Sequence, residues 1–239
     1  MRILITNDDG MQSPVLPDVV RWARKYGEVT VVVPKREQSG KSQTIEFREP
    51  IEIRKERIAE DVTVYAVDST PADCVRFGIT GLEAEYDLLI SGVNIGYNLG
   101  DDIAYSGTVG AILEGARLGV KGIAFSAEFT ATEVALEHMD EAMEFVLKHD
   151  LLAKNDLYNI NFPKACPKGI RVTKQGGIYY HDRFVPQGND LYLQVGEPLK
   201  RENNNLELDI DAVVNGFISV TPLTASKTEH RVFEMLKGI

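Results

Sequence analysis

Met1–Gly10 reads MRILITNDDG, and its reading decides the fold. Ile3, Leu4 and Ile5 form a short apolar run, long enough for a buried strand and too short for a helix of its own. Thr6 and Asn7 end it, and Gly10 supplies the backbone freedom of a tight turn. Asp8 and Asp9 therefore stand just past the C-terminal end of a first strand, the edge at which open α/β sheets bind ligands. Adjacent carboxylates repel each other unless a cation or hydrogen-bond donors offset their charge. A divalent metal is the simplest such partner. Asp-Asp-Gly is also ordinary turn chemistry, so the pair gains meaning only from what the rest of the chain brings to it.

The next segments extend the sheet. Pro14–Tyr26 reads as a helix, with Val15, Val19 and Ala23 at i, i+4 and i+8, Ser13 placed to cap it and Gly27 ending it. Glu28–Val33 (EVTVVV) is a second buried strand. Strand–helix–strand of this kind predicts a parallel sheet with right-handed crossovers. Parallel strands share their C-terminal side, so the polar loop Pro34–Thr44 (PKREQSGKSQT) leaves from the edge that carries Asp8 and Asp9. Ser39, followed by Gly40, becomes a site candidate by position. Ile45–Ile53 alternates as an exposed hairpin does, and Val62–Val67 is a further strand. Ser69–Ile79 shows a helix start, with Ser69 or Thr70 as cap and Pro71 in the first helical position.

Tyr86–Ser91 is a strand, and Gly92–Gly100 (GVNIGYNLG) packs three glycines and two asparagines into the loop after it. A helical face of Val109, Ile112, Leu113 and Ala116 follows. Ser106, Gly107 and Thr108 thus lie at a helix N-terminus, where free N–H groups and the helix dipole favour an anion. The glycine-rich loop lets backbone approach a ligand closely. Lys121–Ser126 and Tyr158–Phe162 are strands flanking a helix over Thr132–Asp150. From Gly169 the pattern becomes short strands, Ile170–Thr173, Gly177–Arg183, Leu191–Val195, Leu206–Ile210 and Phe217–Thr221, with exposed tyrosines at 179, 180 and 192 and a final helix over Lys227–Lys237. The expected organisation is an α/β core over 1–168 and a β-rich C-terminal region over 169–239.

Bulk properties set outer limits. The chain has 239 residues, 44% apolar and 26% charged, as globular proteins do. A net charge of −10 argues against long nucleic acids, which require a dense basic surface. No apolar run approaches membrane-spanning length. Cys74 and Cys166 lack CxxC spacing and suggest buried thiols in a reducing compartment. The N-terminus enters a strand without a signal peptide, so the cytoplasm is the expected location.

Asp8, Asp9, Ser39 and Asn94 can converge at one sheet edge, giving two carboxylates, a hydroxyl and an amide. An all-oxygen set suits Mg²⁺, Mn²⁺ or Ca²⁺ rather than zinc. A hard cation beside the Ser106–Thr108 anion site is the arrangement of phosphoryl chemistry.

ITNDDG, QSG at Gln38–Gly40, TPADCV at Thr70–Val75, SGVNIGYNLG at Ser91–Gly100, YSGTVGAILEG at Tyr105–Gly115 and ISVTPL at Ile218–Leu223 together resemble the SurE family of stationary-phase survival proteins. These are metal-dependent nucleoside-monophosphate phosphatases. The resemblance runs nearly end to end. It implies a three-layer Rossmann-like core with a mostly parallel sheet and a β-rich C-terminal appendage that exchanges between subunits. It implies Asp8, Asp9, Ser39 and Asn94 as ligands of one divalent cation per subunit, Mg²⁺ or Mn²⁺, with Ca²⁺ able to take its place in crystals. Asn98, Ser106, Gly107 and Thr108 would lie near the phosphate. The expected activity is hydrolysis of nucleoside 5′-monophosphates, with 3′-monophosphates as a second candidate class. Asp8 is expected to orient or deprotonate the attacking water, with Asp9 mainly a ligand. The expected partners are a small nucleotide and one or three further copies of the chain, with no membrane. Two rivals differ in class. A receiver-like module would need a phospho-accepting aspartate after its third strand and a lysine after its fifth. A non-catalytic nucleotide or phosphate sensor on the same scaffold would bind without turnover.

Overall fold

The structure is a computed structural model and describes residues 1–199, 202 and 204–239. Its first strand, β1 (Arg2–Thr6), is followed by α1 (Leu16–Ala23), β2 (Glu28–Pro34), β3 (Ile53–Ala59) and β4 (Val62–Val67). Next come α2 (Pro71–Arg76), a π-helical turn (Phe77–Gly81), β5 (Leu88–Ile95), a 3₁₀ turn (Gly100–Ala104) and α3 (Gly107–Arg117). Then follow β6 (Gly122–Ala127), α4 (Thr132–Lys148), α5 (Leu151–Lys154) and β7 (Leu157–Phe162). The C-terminal part holds β8 (Ile170–Val172), β9 (Tyr180–Gly188), β10 (Leu191–Pro198), α6 (Asp209–Val214), β11 (Ile218–Leu223) and α7 (His230–Leu236).

Nine strands form one sheet in the order β3-β4-β2-β1-β5-β6-β7-β11-β8. The run from β4 to β7 is parallel, while β3 pairs antiparallel with β4 and β11 with β7. The alternation of strand side chains builds the three layers. Ile3, Ile5, Val31, Val33, Leu88, Ile90, Ile123 and Phe125 face a core shared with α1 and α4. Leu4, Val32, Leu89 and Ala124 face the opposite core, shared with α2 and α3. Both faces of β1 are therefore covered, which is why ILI carries no polar residue. Each of the buried Val, Leu, Ile and Phe side chains contributes about 1.5–3 kcal/mol of burial free energy.

β2 lies on one side of β1 and β5 on the other. The chain thus winds outward both ways from β1, and the loops after β1 and β5 separate at a topological switch point, where open α/β sheets form their ligand crevice. Asp8 and Asp9 occupy one of these loops and the glycine-rich segment the other.

Several expectations need correction. Ile45–Ile53 is no hairpin. The Glu46 carboxylate accepts the Arg48 and Glu49 N–H groups, folding the segment on itself, and Pro50 offers no donor to a ladder. The hairpin is instead β3–β4, with Ile53 opposite Val67. Leu206–Ile210 is not a strand: α6 begins at Asp209, with Asp209 and Asp211 in its first turn, where acids suit the helix dipole. Ser13 does not cap α1, which starts from Val15 without a side-chain cap. Tyr179 and Tyr180 are half-buried, whereas Tyr192 is exposed. Cys74 is buried as expected, but Cys166 is exposed.

The C-terminal region divides in two. β8 and β11 extend the main sheet, while β9 and β10 pair only with each other. The hairpin leaves Phe184, Leu191, Tyr192 and Leu193 exposed, and α7 buries no residue while presenting Phe233 and Met235 to solvent. Among the described residues, no helix is long and apolar enough to cross a membrane.

Candidate active site

The turn after β1 is held by its own sequence. Asn7 grips Gly10 twice: its Nδ2 donates to Gly10 O at 3.0 Å, and the Gly10 N–H donates to Asn7 Oδ1 at 3.1 Å. Gly10 has φ +82°, and a Cβ there would stand 2.7 Å from the Arg36 carbonyl carbon. Only glycine suits that position. The clasp projects Asp8 and Asp9 from the sheet edge.

Three other segments close on the pair. The Gln38 N–H donates to Asp8 O at 2.7 Å, bringing the Ser39 loop alongside. Thr108 Oγ1 donates to Asp8 Oδ1 at 2.5 Å. The Ile95 N–H donates to Asp9 Oδ2 at 3.3 Å. Gly107 completes the closure, since a Cβ there would lie 2.9 Å from Asp8 Cβ and 3.0 Å from Asp8 Oδ2. The first turn of α3 is thus pressed against the carboxylate, with the Thr108 backbone N–H also directed at it.

The residues expected to act divide by what they touch. Asp8 meets Gly107 and Thr108 directly, and Asp9 adjoins Asp8 and accepts the Ile95 N–H. Ser39 and Asn94 each sit one residue from a backbone contact to the pair, through Gln38 and Ile95. Ser39 is exposed and donates to Glu37 Oε1 at 2.7 Å. Asn94 donates its amide to Gly96 O at 2.8 Å, so the carbonyl Oδ1 is the atom of its side chain that could ligate a cation. A register shift between Ser91 and Asn94 re-aims this end of β5. Ser106 caps α3, accepting the Val109 N–H at 3.0 Å. Asn98 is buried, and its Nδ2 donates to Ser126 Oγ at 2.8 Å. Its backbone is pinned by β7: its N–H donates to Asn161 Oδ1, and its carbonyl accepts from Asn159 and Asn161.

The electrostatics point toward a cation. Burial pushes the Asp8 carboxyl up, and the Thr108 hydroxyl partly offsets that push. Burial, then the charge of Asp8, pushes Asp9 up to about 7, with Glu37 adding to both. Two carboxylates held side by side with this little compensation fit a divalent cation, and hydroxyl and amide oxygens beside them keep the donor set hard. Among the described residues, no group of three His, Cys, Asp or Glu is placed to hold a metal, so a cation here rests on two carboxylates and neutral oxygens.

Sequence reasoning missed the residues that position this site. Asn7, Asn159 and Asn161 looked like ordinary strand-end or strand residues. Glu37 lay in a loop whose basic residues drew the eye. Buried Asp209 was read as part of a strand, yet its carboxylate accepts the Gly100 N–H at 2.9 Å and the Gly176 N–H at 2.7 Å, tying the glycine-rich loop to the C-terminal part.

The chain is similar to known proteins in both sequence and fold. The family model described as "Survival protein SurE" matches residues 3–182. "5'-nucleotidase SurE 1" of Thermus thermophilus is 39% identical over 251 residues, covering 100% of this chain and 98% of the relative. "5'-nucleotidase SurE" of Pseudothermotoga lettingae is 36% identical over 250 residues, covering 100% and 95%. The crystal structure of the SurE protein from Aquifex aeolicus superposes with a TM-score of 0.80 at 34% identity, covering 100% of this chain and 99% of that one. Matched along its whole length in both sequence and fold, the chain belongs to the SurE family.

Proposed function

We propose that the protein is a divalent-metal-dependent phosphatase that hydrolyses nucleoside 5′-monophosphates, with 3′-monophosphates as a second class. The observation that carries the reading is the pair Asp8–Asp9, set against the start of α3 by the Thr108 hydroxyl. The nucleotide as substrate rests on full-length likeness to proteins named 5′-nucleotidase.

Asp8, Asp9, Ser39 and Asn94 Oδ1 would hold one cation, Mg²⁺ or Mn²⁺. Such a cation supplies Lewis-acid polarisation of a phosphate oxygen and acidifies water. Thr108 keeps Asp8 in one rotamer and favours its ionised form, so Asp8 can take a proton from the attacking water. The start of α3 at Ser106–Thr108 stabilises negative charge that develops on the phosphoryl oxygens. Ser106 serves chiefly as the cap that keeps this helix start in place. Asn98, whose Nδ2 keeps a second N–H beyond the one it gives Ser126, lies near the phosphate on a loop that its backbone bonds to β7 hold in place. The hairpin and α7, with their exposed apolar side chains, form the region through which copies of the chain associate.

The test is turnover of p-nitrophenyl phosphate and of a nucleoside monophosphate panel with Mn²⁺. Release of phosphate from nucleoside 5′-monophosphates supports the reading. Tight nucleotide binding without phosphate release would make the protein a sensor on the same scaffold.

A further inference from the structure

A cavity of about 340 Å³ is lined by Tyr97, Glu128, Lys164, Tyr179, Val213 and Val214, among others. Its volume is within the range of small-molecule sites, about 300–1,000 Å³. Its walls come from the same sheet edge: Tyr97 follows β5, Glu128 follows β6 and Lys164 follows β7. From its contact with the carboxylate pair at Ile95, the chain runs to this cavity within two residues. The Ile95 N–H is on Asp9, the Gly96 N–H is on Ala127 O at 2.9 Å, and Tyr97 is the next residue. Two peptide steps separate Ile95 from Tyr97, so their Cα atoms lie within about 7–8 Å.

The lining chemistry is specific. Tyr97 and Tyr179 both pack on the small apolar cluster of Leu99, Ile210 and Val213, which holds their rings in place. Glu128 is anchored through one oxygen only: Thr130 donates its N–H and hydroxyl to Oε2, at 2.6 and 2.7 Å. Oε1 faces Lys164 Nζ loosely, at 3.7 Å. Two tyrosine rings and a carboxylate acceptor in one lining match a planar heterocycle that bears an amino group.

We infer that this cavity is the nucleobase subsite: the base stacks against Tyr97 and Tyr179 and donates its exocyclic amino N–H to Glu128 Oε1. The inference rests on the nucleotidase reading for what occupies the phosphate end. It assigns selectivity to residues outside the metal and phosphate groups. Stacking on an aromatic side chain strengthens binding of a base by about tenfold or more.

The experiment measures kcat/KM for AMP, purine riboside 5′-monophosphate and ribose 5-phosphate in the full-length protein with Mn²⁺. The wild type should prefer AMP over ribose 5-phosphate by at least about tenfold. Tyr97→Leu should collapse that ratio, and Tyr97→Phe, which retains the ring, should hold it. Glu128→Ala should erase the preference for AMP over the analogue without the amino group. Ribose 5-phosphate turnover in the same samples reports whether each variant is folded. Equal wild-type efficiency on AMP and ribose 5-phosphate would overturn the base subsite and leave the phosphatase reading standing. Failure to hydrolyse any of the three would refute the phosphatase reading. In that case calorimetry with adenosine decides the subsite: binding lost in Tyr97→Leu supports it, and no binding to the wild type overturns it.

Discussion

Asp9→Asn should flatten a pH dependence of stability that the metal-stripped wild type carries. Burial and the neighbouring Asp8 charge move the Asp9 carboxyl from 3.8 to about 7 in the folded protein. The unfolded chain releases that proton near the ordinary value, so between the two values the folded state holds more protons. This contribution to stability is fully present below the unfolded value of about 4 and is lost as pH rises through about 7. At about 1.4 kcal/mol per tenfold, the interval from 3.8 to about 7 corresponds to about 4 kcal/mol. Asp9 retains some contact with water, and solvent screening reduces this to about 2 kcal/mol. For a chain of this size that is about 4–8 °C of melting temperature. The assay is thermal unfolding in a chelator between about pH 5 and pH 8, where the wild type should lose stability more steeply than Asp9→Asn. Mn²⁺ should stabilise the wild type increasingly as pH rises, because it binds the deprotonated carboxylates. Identical pH slopes for wild type and Asp9→Asn would refute the reasoning.

Gly107→Ala should lower kcat/KM by about a hundredfold, because its Cβ would displace the Asp8 carboxylate; steady-state kinetics beside a melt separates loss of site geometry from loss of folding. Asp209→Ala should cost about 2–3 kcal/mol in urea unfolding, since the buried Gly100 N–H and the half-buried Gly176 N–H lose their acceptor. Light scattering at micromolar concentration should give a dimer or tetramer, because the hairpin and α7 expose Phe184, Tyr192, Phe233 and Met235; a monomer would contradict that assignment.

The parallel core was legible because burial on both faces leaves a local trace. ILI in β1 and VTVVV in β2 carry apolar residues facing both cores, with Thr30 as the polar exception. The start of α3 was legible because caps are local, and Ser106 accepts the Val109 N–H as the pattern suggested. The carboxylate pair was legible because Gly10 marks where the strand must turn. What failed to show was set by distant partners. Nothing near Asn161 in sequence indicates that it holds Asn98, 63 residues away. Nothing near Asp209 indicates Gly100, 109 residues away. Alternation misled at Ile45–Ile53 and Leu206–Ile210 because local carboxylate contacts, at Glu46 and in the first turn of α6, outweighed a short periodic pattern.

The most direct test of the central claim is AMP hydrolysis by the wild type stripped with a chelator and then titrated with Mn²⁺ or Mg²⁺, beside Asp8→Asn under the same conditions. Stripping should lower activity at least about a hundredfold, cation should restore it in the wild type, and Asp8→Asn should stay inactive at every cation concentration. Full activity in metal-free buffer, or wild-type turnover by Asp8→Asn, would contradict the account.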